Sequence, residues 1–213
     1  MAKLALPQIT SRISLKRFPQ ISESHCGPAV LQMLLNYQGI SVSQQEITKS
    51  AKVTKTIREK GIRPDQLSNA VRKLAPGLKM YYKDHGSLMD IASIINDYQL
   101  PVAVEWQGLF GLKIDPKSYK PIEINDGHYS IIIKTDNTSK EVTLLDPYKD
   151  FIDEDRVFTF DQFNKRWWDT NEIIDKKGKP QTIYDYKLFF IVIPDTLKID
   201  PRLGLKLGKN YNH

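Results

Sequence analysis

The residue with the clearest capacity for chemistry is Cys26, the only cysteine among the 213 residues. A single cysteine forms no internal disulfide and completes no zinc site of the multi-cysteine kinds. The side chains that could activate its thiol are the four histidines, at positions 25, 85, 128 and 213. A thiolate that attacks a carbonyl carbon, with an imidazole as the proton carrier, is the chemistry of acyl transfer.

The sequence around Cys26 predicts the start of a helix. Apolar residues repeat at helical spacing over residues 27–37, and Gly39 ends the pattern. Ser24 is the predicted N-cap, and Pro28 suits a first turn that makes no use of its N–H. The backbone N–H groups at such a helix start favour a thiolate. The alternative is a buried cysteine that only packs, which is the more common role of a lone cysteine.

His128 and Asp146 are the best-placed base and acid. His128 is predicted to open a strand, residues 129–134, next to a loop, where its ring would be held rigidly and still meet a substrate. Asp146 directly follows a predicted strand at 141–145, and the short turn between the strands can place it beside His128. A carboxylate there would orient the imidazole and stabilise its charged form. The alternatives are a surface histidine at a strand edge and an ordinary Asp-Pro-Tyr turn.

The other histidines and the acidic segment give weaker signals. His25 adjoins Cys26 and its side chain is expected to point elsewhere, His85 lies in an Asp-His-Gly turn, and His213 is terminal. The acidic residues within 150–155 lack the glycine and the spacing of a calcium loop, and no phosphate-loop or zinc-peptidase motif occurs. The sequence therefore predicts neither a metal nor a cofactor.

The net charge raises the question of an anionic partner. The chain has 31 Lys and Arg against 25 Asp and Glu, a formal charge of +6. The excess is densest over residues 49–63, where no aromatic residue is interleaved to stack on bases. We interpret this segment as a solvated basic face and expect no nucleic-acid partner, although a binder of nucleic acid or of an anionic surface stays open as an alternative.

Helices are predicted for most of the first hundred residues and strands after them. Beyond the first helix, Ser43, Pro64 and Ser87 each open a helix. The predicted strands are 102–106, 129–134, 141–145 and 187–193, with a hairpin turn at 136–140 and a short helix at 161–168.

Helices first and antiparallel strands afterwards predict an α+β fold with one sheet. We expect a single domain over 1–213, with a helical part at 14–100, a sheet part at 101–194 and a polar, fraying tail at 195–213. Residues 107–125 have no periodicity and are predicted to form a long loop.

No segment of the sequence is long and apolar enough to cross a bilayer. The longest purely apolar run is Leu188–Ile193, closed by Pro194, against the roughly 20 residues that a spanning helix needs. The N-terminal apolar stretch is too short for a signal peptide. A cytoplasmic location is therefore the prediction.

Several motifs together resemble a known family. In chain order they are Gln20-x5-Cys26-Gly-Pro-Ala, Asn36-Tyr-Gln-Gly39, Gly127-His-Tyr-Ser-Ile-Ile-Ile, Leu145-Asp-Pro-Tyr and Phe160-x-x-Phe163-x-x-x-Trp167-Trp168. Over about residues 14–168 the chain resembles the papain-like cysteine peptidases of the bacteriocin-processing family, whose members cleave leader peptides after a Gly-Gly pair. Because no ATPase or membrane part follows in the sequence, it looks more like a stand-alone member.

The resemblance implies a papain-like fold, with Cys26 on a helical lobe facing His128 and Asp146 on a sheet lobe. It also implies roles: Cys26 as nucleophile, His128 as general base and acid, Asp146 as the orienting residue, and Gln20 as an oxyanion donor beside the Cys26 N–H. The residue before the cysteine is His25, where exporter-linked members usually carry an acid or a small hydroxyl. A peptide or protein is then the expected substrate, and a separate transporter partner stays open.

Three functions remain as alternatives. The first is a cysteine hydrolase, most simply a peptidase working through an acyl-enzyme, with an acyl transferase as a variant in which an amine replaces water. The second is a non-catalytic module that binds an extended peptide on the same scaffold. The third is the charge-led binder, which salt dependence of binding would identify.

Overall fold

The computed structural model describes residues 12–116, 118 and 121–208. The helices are α1 Cys26–Tyr37, α2 Gln44–Ser50, α3 Ile57–Lys60, α4 Pro64–Leu74, α5 Leu88–Tyr98 and α6 Phe160–Arg166. The strands are β1 Leu78–Lys83, β2 Val102–Ile114, β3 Pro121–Asp136, β4 Glu141–Leu145, β5 Asp155–Thr159, β6 Trp168–Ile174, β7 Pro180–Tyr186, β8 Phe189–Pro194 and β9 Lys206–Leu207. His213 and the N-terminal stretch considered as a signal peptide lie outside the described residues.

Seven strands form one antiparallel sheet in the order β5-β4-β3-β2-β8-β1-β9, and β6 pairs with β7 in a separate hairpin. The predicted α+β class is therefore confirmed, but the prediction of one sheet is wrong, because β6 and β7 form a second one. Strand β8 lies between β2 and β1, so it joins the strand of the N-terminal half to the strands that carry His128 and the residues around Asp146. Helices α1 and α5 pack against β3, which places the start of α1 next to the middle of the sheet.

Capping residues mark two of the helix starts that the sequence predicts. Ser43 accepts from the N–H of Glu46, whose carboxylate accepts in return from the Ser43 N–H. Ser87 and Asp90 form the same reciprocal pair at the start of α5. Each pair satisfies backbone donors that a helix start leaves without partners.

The prediction that Ser24 caps α1 is wrong. His25 occupies the N-cap position and makes no side-chain capping bond. The Ser24 hydroxyl instead donates to the carbonyl of Arg58, 3.2 Å away, in the segment that packs beside the helix start. A serine capping bond is therefore replaced by a long-range contact that local sequence does not report.

The predicted loop at 107–125 is also wrong. Strands β2 and β3 continue through most of this region as a long hairpin, with a register shift between Leu109 and Gly111. Gly111 has φ of 151°, a backbone conformation that glycine adopts readily, so the bulge absorbs the glycine without ending the strand. His128 consequently lies within β3 and not at its start.

The tail is more ordered than its composition predicts. Residues Lys206 and Leu207 form β9 against β1. Ile199, Leu203 and Leu205 are partly buried against the hydrophobic core. The prediction of a fraying tail is therefore wrong as far as Gly208, the last described residue.

The core lies between the helices and the sheet. Helix α1 is buried along most of its length, and its apolar residues pack with those of β2, β3 and β8 in one cluster. No helix among the described residues is long and apolar enough to cross a membrane.

Candidate active site

Cys26 is the first residue of α1, as the sequence predicts, and its side chain is 9% exposed. A Cβ on Gly27 would lie 2.4 Å from Ile62 and 3.2 Å from the Tyr129 ring, so a side chain at position 27 would push the helix start off the sheet. The Gln20 N–H donates to the Pro147 carbonyl at 2.9 Å. This bond ties the chain before Cys26 to the chain just after Asp146.

The structure brings Cys26, His128 and Asp146 into one row. The Nε2 atom of His128 lies 2.7 Å from Oδ1 of Asp146, and both side chains are buried. The interaction of the Cys26 side chain with the His128 ring is one of the causes that raise the pKa of that ring. Because Nε2 faces Asp146, Nδ1 is the ring nitrogen left for the thiol. The predicted proximity of His128 and Asp146 across the β3–β4 hairpin is thus observed.

Four groups surround the Asp146 carboxylate. Oδ1 accepts from His128 and from the Tyr148 N–H at 2.9 Å, while Oδ2 accepts from Nη1 of Arg156 at 2.6 Å and more weakly from the Ser130 hydroxyl at 3.4 Å. Burial by itself would raise the pKa of Asp146, but His128, Arg156 and the Tyr148 N–H together lower it to about 2. The carboxylate is therefore charged at any pH near neutrality.

His128 is correspondingly held in its charged form. Burial alone would lower its pKa, but the Asp146 charge and hydrogen bond, and then the interaction with Cys26, raise the pKa to about 10. The Phe110 ring meets the imidazole edge to face at 5.1 Å and shields it from solvent. At neutral pH the imidazolium therefore has a proton available for a group that leaves beside Cys26.

Arg156 is a site residue that the sequence analysis missed. Its guanidinium lies 3.9 Å from the centre of the Phe151 ring, and it donates to Asp146 and to the Leu109 carbonyl. A planar, always charged group held in this way fixes the second carboxylate oxygen of Asp146. The pairing of Arg156 with Asp146 depends on β5 lying beside β4. In the sequence, Arg156 is visible only as an arginine that follows a run of acids.

Gln20 is near the site but its amide is used locally. Its Nε2 donates to the Ser22 carbonyl at 2.9 Å. Its Oε1 is buried and has no hydrogen-bond partner among the described residues. The oxyanion role that the resemblance implies for Gln20 stays a prediction.

The other described histidines lie apart from the row. His25 bonds the Ser22 hydroxyl through Nδ1 at 2.6 Å, and His85 stacks on Tyr186 in a turn. The basic segment 49–63 is largely exposed, as expected of a solvated face. In the part of the chain that the structure describes, no three His, Cys, Asp or Glu side chains are arranged to hold a metal ion.

A cleft of about 670 Å³ opens beside the thiol. Cys26 and Tyr129 line it together with Gly61 and Ile62, which lie between α3 and α4, and with residues of β6. A peptide lying in this cleft would pass the thiol on one side and the sheet on the other. The arrangement can therefore present a peptide carbonyl to a nucleophile with an imidazolium behind it.

Comparisons with known proteins identify the family and the fold of the chain. The Peptidase_C39 like family matches residues 12–173, about three quarters of the chain. No curated protein matches the chain.

Two solved structures have the same fold. The peptidase domain of Streptococcus ComA, a bi-functional ABC transporter involved in a quorum sensing pathway, superposes with a TM-score of 0.54 at 19% identity, over 85% of this chain and 98% of that one. A double glycine motif protease from an AMS/PCAT transporter, solved in complex with the leader peptide, gives 0.51 at 16% identity, over 86% and 94%. The resemblance found in the sequence is confirmed, and the chain belongs to the Peptidase_C39 like family.

Proposed function

We propose that this protein is a cysteine peptidase that hydrolyses a peptide bond through Cys26, His128 and Asp146. The observation that carries the proposal is the 2.7 Å bond between the His128 ring and Asp146, in a structure where the Cys26 thiol at the start of α1 helps to raise the pKa of that ring. Cys26 lines a cleft of about 670 Å³, in a chain of a peptidase-like family.

The chemistry follows from the charges of these groups. The Cys26 thiolate attacks the substrate carbonyl carbon, and a C–S bond forms as the carbonyl electrons move to oxygen. When the tetrahedral intermediate collapses, the C–N bond breaks and the His128 imidazolium gives its proton to the leaving amine. The neutral imidazole then takes a proton from water as the water oxygen attacks the acyl carbon. The C–S bond breaks, which releases the acid and restores the thiolate beside the imidazolium. Asp146 keeps the ring oriented and offsets its charge.

Two narrower forms of this function need separate tests. The neighbour solved with a leader peptide is a double glycine motif protease, so a Gly-Gly peptide and its Ala-Ala analogue are the first pair to compare. An amine that captures the acyl-enzyme in place of water would make the protein a transferase. The mass of the product in buffer with and without a nucleophilic amine separates these outcomes.

The thiol itself gives the direct test of the proposal. Cys26 is the only cysteine, so alkylation by iodoacetamide reports on one site. We expect rapid alkylation at pH 6 because Cys26 begins a helix beside the His128 imidazolium, and a loss of about 100-fold or more in peptide hydrolysis in His128→Ala. His85→Asn is the matched control, since His85 lies in a left-handed turn that asparagine tolerates.

Two results would contradict the proposal. One is alkylation of Cys26 only after denaturation. The other is a His128→Ala variant that hydrolyses library peptides at the rate of the His85→Asn control.

Gln20 is proposed as a donor to the oxyanion, with support from the family motif and from its position in the loop that leads to Cys26. Its amide would exchange the Ser22 carbonyl for the substrate oxygen. Gln20→Ala should then reduce hydrolysis about 100- to 1000-fold, because such a donor acts mainly in the transition state. Alkylation of Cys26 builds no oxyanion and should change only a few-fold. Hydrolysis at nearly the wild-type rate would leave the oxyanion to backbone N–H groups.

A further inference from the structure

A second group of acids is buried on the other face of the β2–β3 hairpin. Glu105, Asp185 and Asp169, which we call the acidic cluster, are 1%, 2% and 8% exposed. Asn171 joins two of them by donating to Glu105 at 3.1 Å and to Asp185 at 2.9 Å. The Tyr129 hydroxyl also donates to Glu105, at 2.7 Å. The proposed reaction uses none of these carboxylates.

The donors that reach Glu105 and Asp169 are neutral. In the described part of the chain, neither carboxylate forms an ion pair with a Lys, Arg or His, and Asp169 is held by Gln107 and by its neighbouring Thr170 N–H. The Glu105 Oε2 atom is buried and has no hydrogen-bond partner among the described residues. A buried carboxylate oxygen without a partner is costly, so this atom lacks a donor that a ligand can supply.

Burial and crowding keep protons on these groups. Burial raises the pKa of Asp169 to about 7, and the charges of Asp126 and Asp185 add to the effect. Burial and the charges of Asp169 and Asp185 likewise raise the pKa of Glu105 well above its usual value. A positive charge placed among the carboxylates would relieve the repulsion that these protons now offset.

The acidic cluster faces the cleft that contains the thiol. Cys26, Glu105 and Asp169 all line it. Six carboxylates and three basic side chains line this cleft, whereas the whole chain has a net charge of +6. Two of the three bases are already paired, Arg63 with Asp65 at 3.0 Å and Lys60 with Glu172 at 3.7 Å. Acids therefore outnumber bases in this cleft, on a protein that is otherwise basic.

Asp169 lies close to the reaction centre. A Cβ on Gly127 would be 2.5 Å from the Asp169 carboxylate, so the carboxylate sits over the backbone of the residue before His128. Only glycine leaves room for it there. A cation bound to Asp169 would consequently lie in the cleft that Cys26 also lines, and not at a remote surface.

We propose that this end of the cleft is a specificity pocket that takes a lysine or arginine side chain of the substrate next to the cleaved bond. The inference rests on the proposed peptidase function. Asp169 is the more exposed acid and would meet the cation first, with Glu105 Oε2 behind it as a second acceptor. Because Glu105 Oε2 has no hydrogen-bond donor among the described residues, an N–H-bearing organic cation is the matching ligand.

The test uses the wild-type protein and peptides that differ at one position. Lysine, arginine, citrulline, norleucine and glutamate are placed in turn at each position around the cleaved bond, and kcat/KM is measured for each peptide. At one position we expect lysine or arginine to exceed citrulline and norleucine by about 10- to 100-fold, the value of hydrogen bonds to a charged group. Asp169→Asn should reduce this ratio to a few-fold. Asp97→Asn, which changes an exposed carboxylate of α5 that does not line the cleft, should keep it.

A labelling experiment reads the same pocket without turnover. Methanethiosulfonate reagents that carry a primary ammonium or a sulfonate group react with Cys26, and their rates are normalised to those with a small free thiol. The cationic reagent should be favoured by roughly tenfold in the wild type, and less in Glu105→Gln and Asp169→Asn. If either variant fails to fold, the peptide series in the wild type still decides.

The outcomes separate the two proposals. Hydrolysis with no preference for a cationic side chain at any position, or a preference that persists in Asp169→Asn, overturns the pocket and leaves the peptidase. Labelling of Cys26 with no hydrolysis of any peptide overturns the peptidase and, with it, the pocket as a determinant of substrate choice.

Discussion

Two groups of buried acids lie on opposite faces of the β2–β3 hairpin and differ in what surrounds them. On one face, Asp146 contacts the His128 ring and the Arg156 guanidinium. On the other, Glu105 and Asp169 receive hydrogen bonds from neutral donors. Burial raises the carboxyl pKa in both places, yet that of Asp146 ends at about 2 and that of Asp169 at about 7. The charge of the neighbouring side chains, and not the degree of burial, therefore decides which carboxylate is ionised.

Turnover should show the largest difference between the two faces. Asp146→Asn keeps a hydrogen-bond acceptor for His128 but removes the charge that stabilises the imidazolium, so kcat/KM should fall about 100-fold or more with the fold retained. Asp169→Asn should lose at most the 10- to 100-fold contributed by the proposed pocket. Peptide kinetics with circular dichroism on the same samples measures both. An Asp146→Asn variant that is unfolded, with no loss of rate in its folded fraction, would mean that Asp146 only forms the turn.

The next largest effect is expected on stability, when Asp146 loses the Arg156 guanidinium. Arg156→Met leaves one buried oxygen of Asp146 without its ion pair and should lower the free energy of unfolding by about 3 kcal/mol. Arg156→Lys should recover part of this and should also restore the pH profile of kcat that Arg156→Met shifts. Urea titration at pH 7 measures the stability. Equal stability of the methionine variant and the wild type would show that Arg156 does not support Asp146.

His128 and Asp146 should make the stability of the protein depend on pH. The pKa of His128 is raised to about 10 from an ordinary 6.5, so its stabilising effect is complete below pH 6.5 and is lost as the pH rises through 10. The pKa of Asp146 is lowered to about 2 from 3.8, so its effect is present above pH 3.8 and is lost as the pH falls through 2. The stability difference between wild type and His128→Gln should be greatest between about pH 4 and 6.5. A difference that grows toward pH 10 would contradict a charged His128.

The smallest effect is expected for Asp169, on the face where the acids have neutral donors. Here the substitution should raise the free energy of unfolding, whereas Arg156→Met should lower it. Asp169 has a raised pKa in the folded protein, so its ionisation lowers the free energy of unfolding as the pH rises from 3.8 to about 7. Asp169→Asn should therefore melt a few degrees above the wild type at pH 8 and with it at pH 4. Thermal unfolding at the two pH values measures this. A variant that is less stable than the wild type at pH 8 would mean that a cation already neutralises the carboxylate.

The sequence predicted the face with His128 and Asp146 far better than the face with the acidic cluster. Cys26, His128 and Asp146 stood out because each follows or opens a recognisable element, and the short β3–β4 turn at 137–140 limits where the strands can meet. Gln20 came from the family motif alone. Arg156 could not be assigned, because its partner depends on which strand β5 joins.

Glu105 carried a signal that was overlooked. It is the only charged residue in the apolar run Val102–Trp106, and a charge in the middle of a buried strand usually has a function or a partner. Asp169 had no such signal, because β6 was not predicted. The error at 107–125 arose because a lack of periodicity was interpreted as a loop, whereas the strand continues through a bulge at Gly111.

The central position of β8 affects when the enzyme would become active. Met80 in β1 pairs with Val192 in β8, and Ala103 in β2 pairs with Phe190, so the sheet closes only after residues near 190 are made. Long-range pairings of this kind form late and slowly. The ribosome would thus have synthesised the residues up to about 190 before the sheet was complete. By then Cys26 would have emerged, but the sheet that holds the His128 ring beside the thiol would not yet have closed. We expect the newborn protein to pass through translation as an inert polypeptide, unable to cut itself or its neighbours.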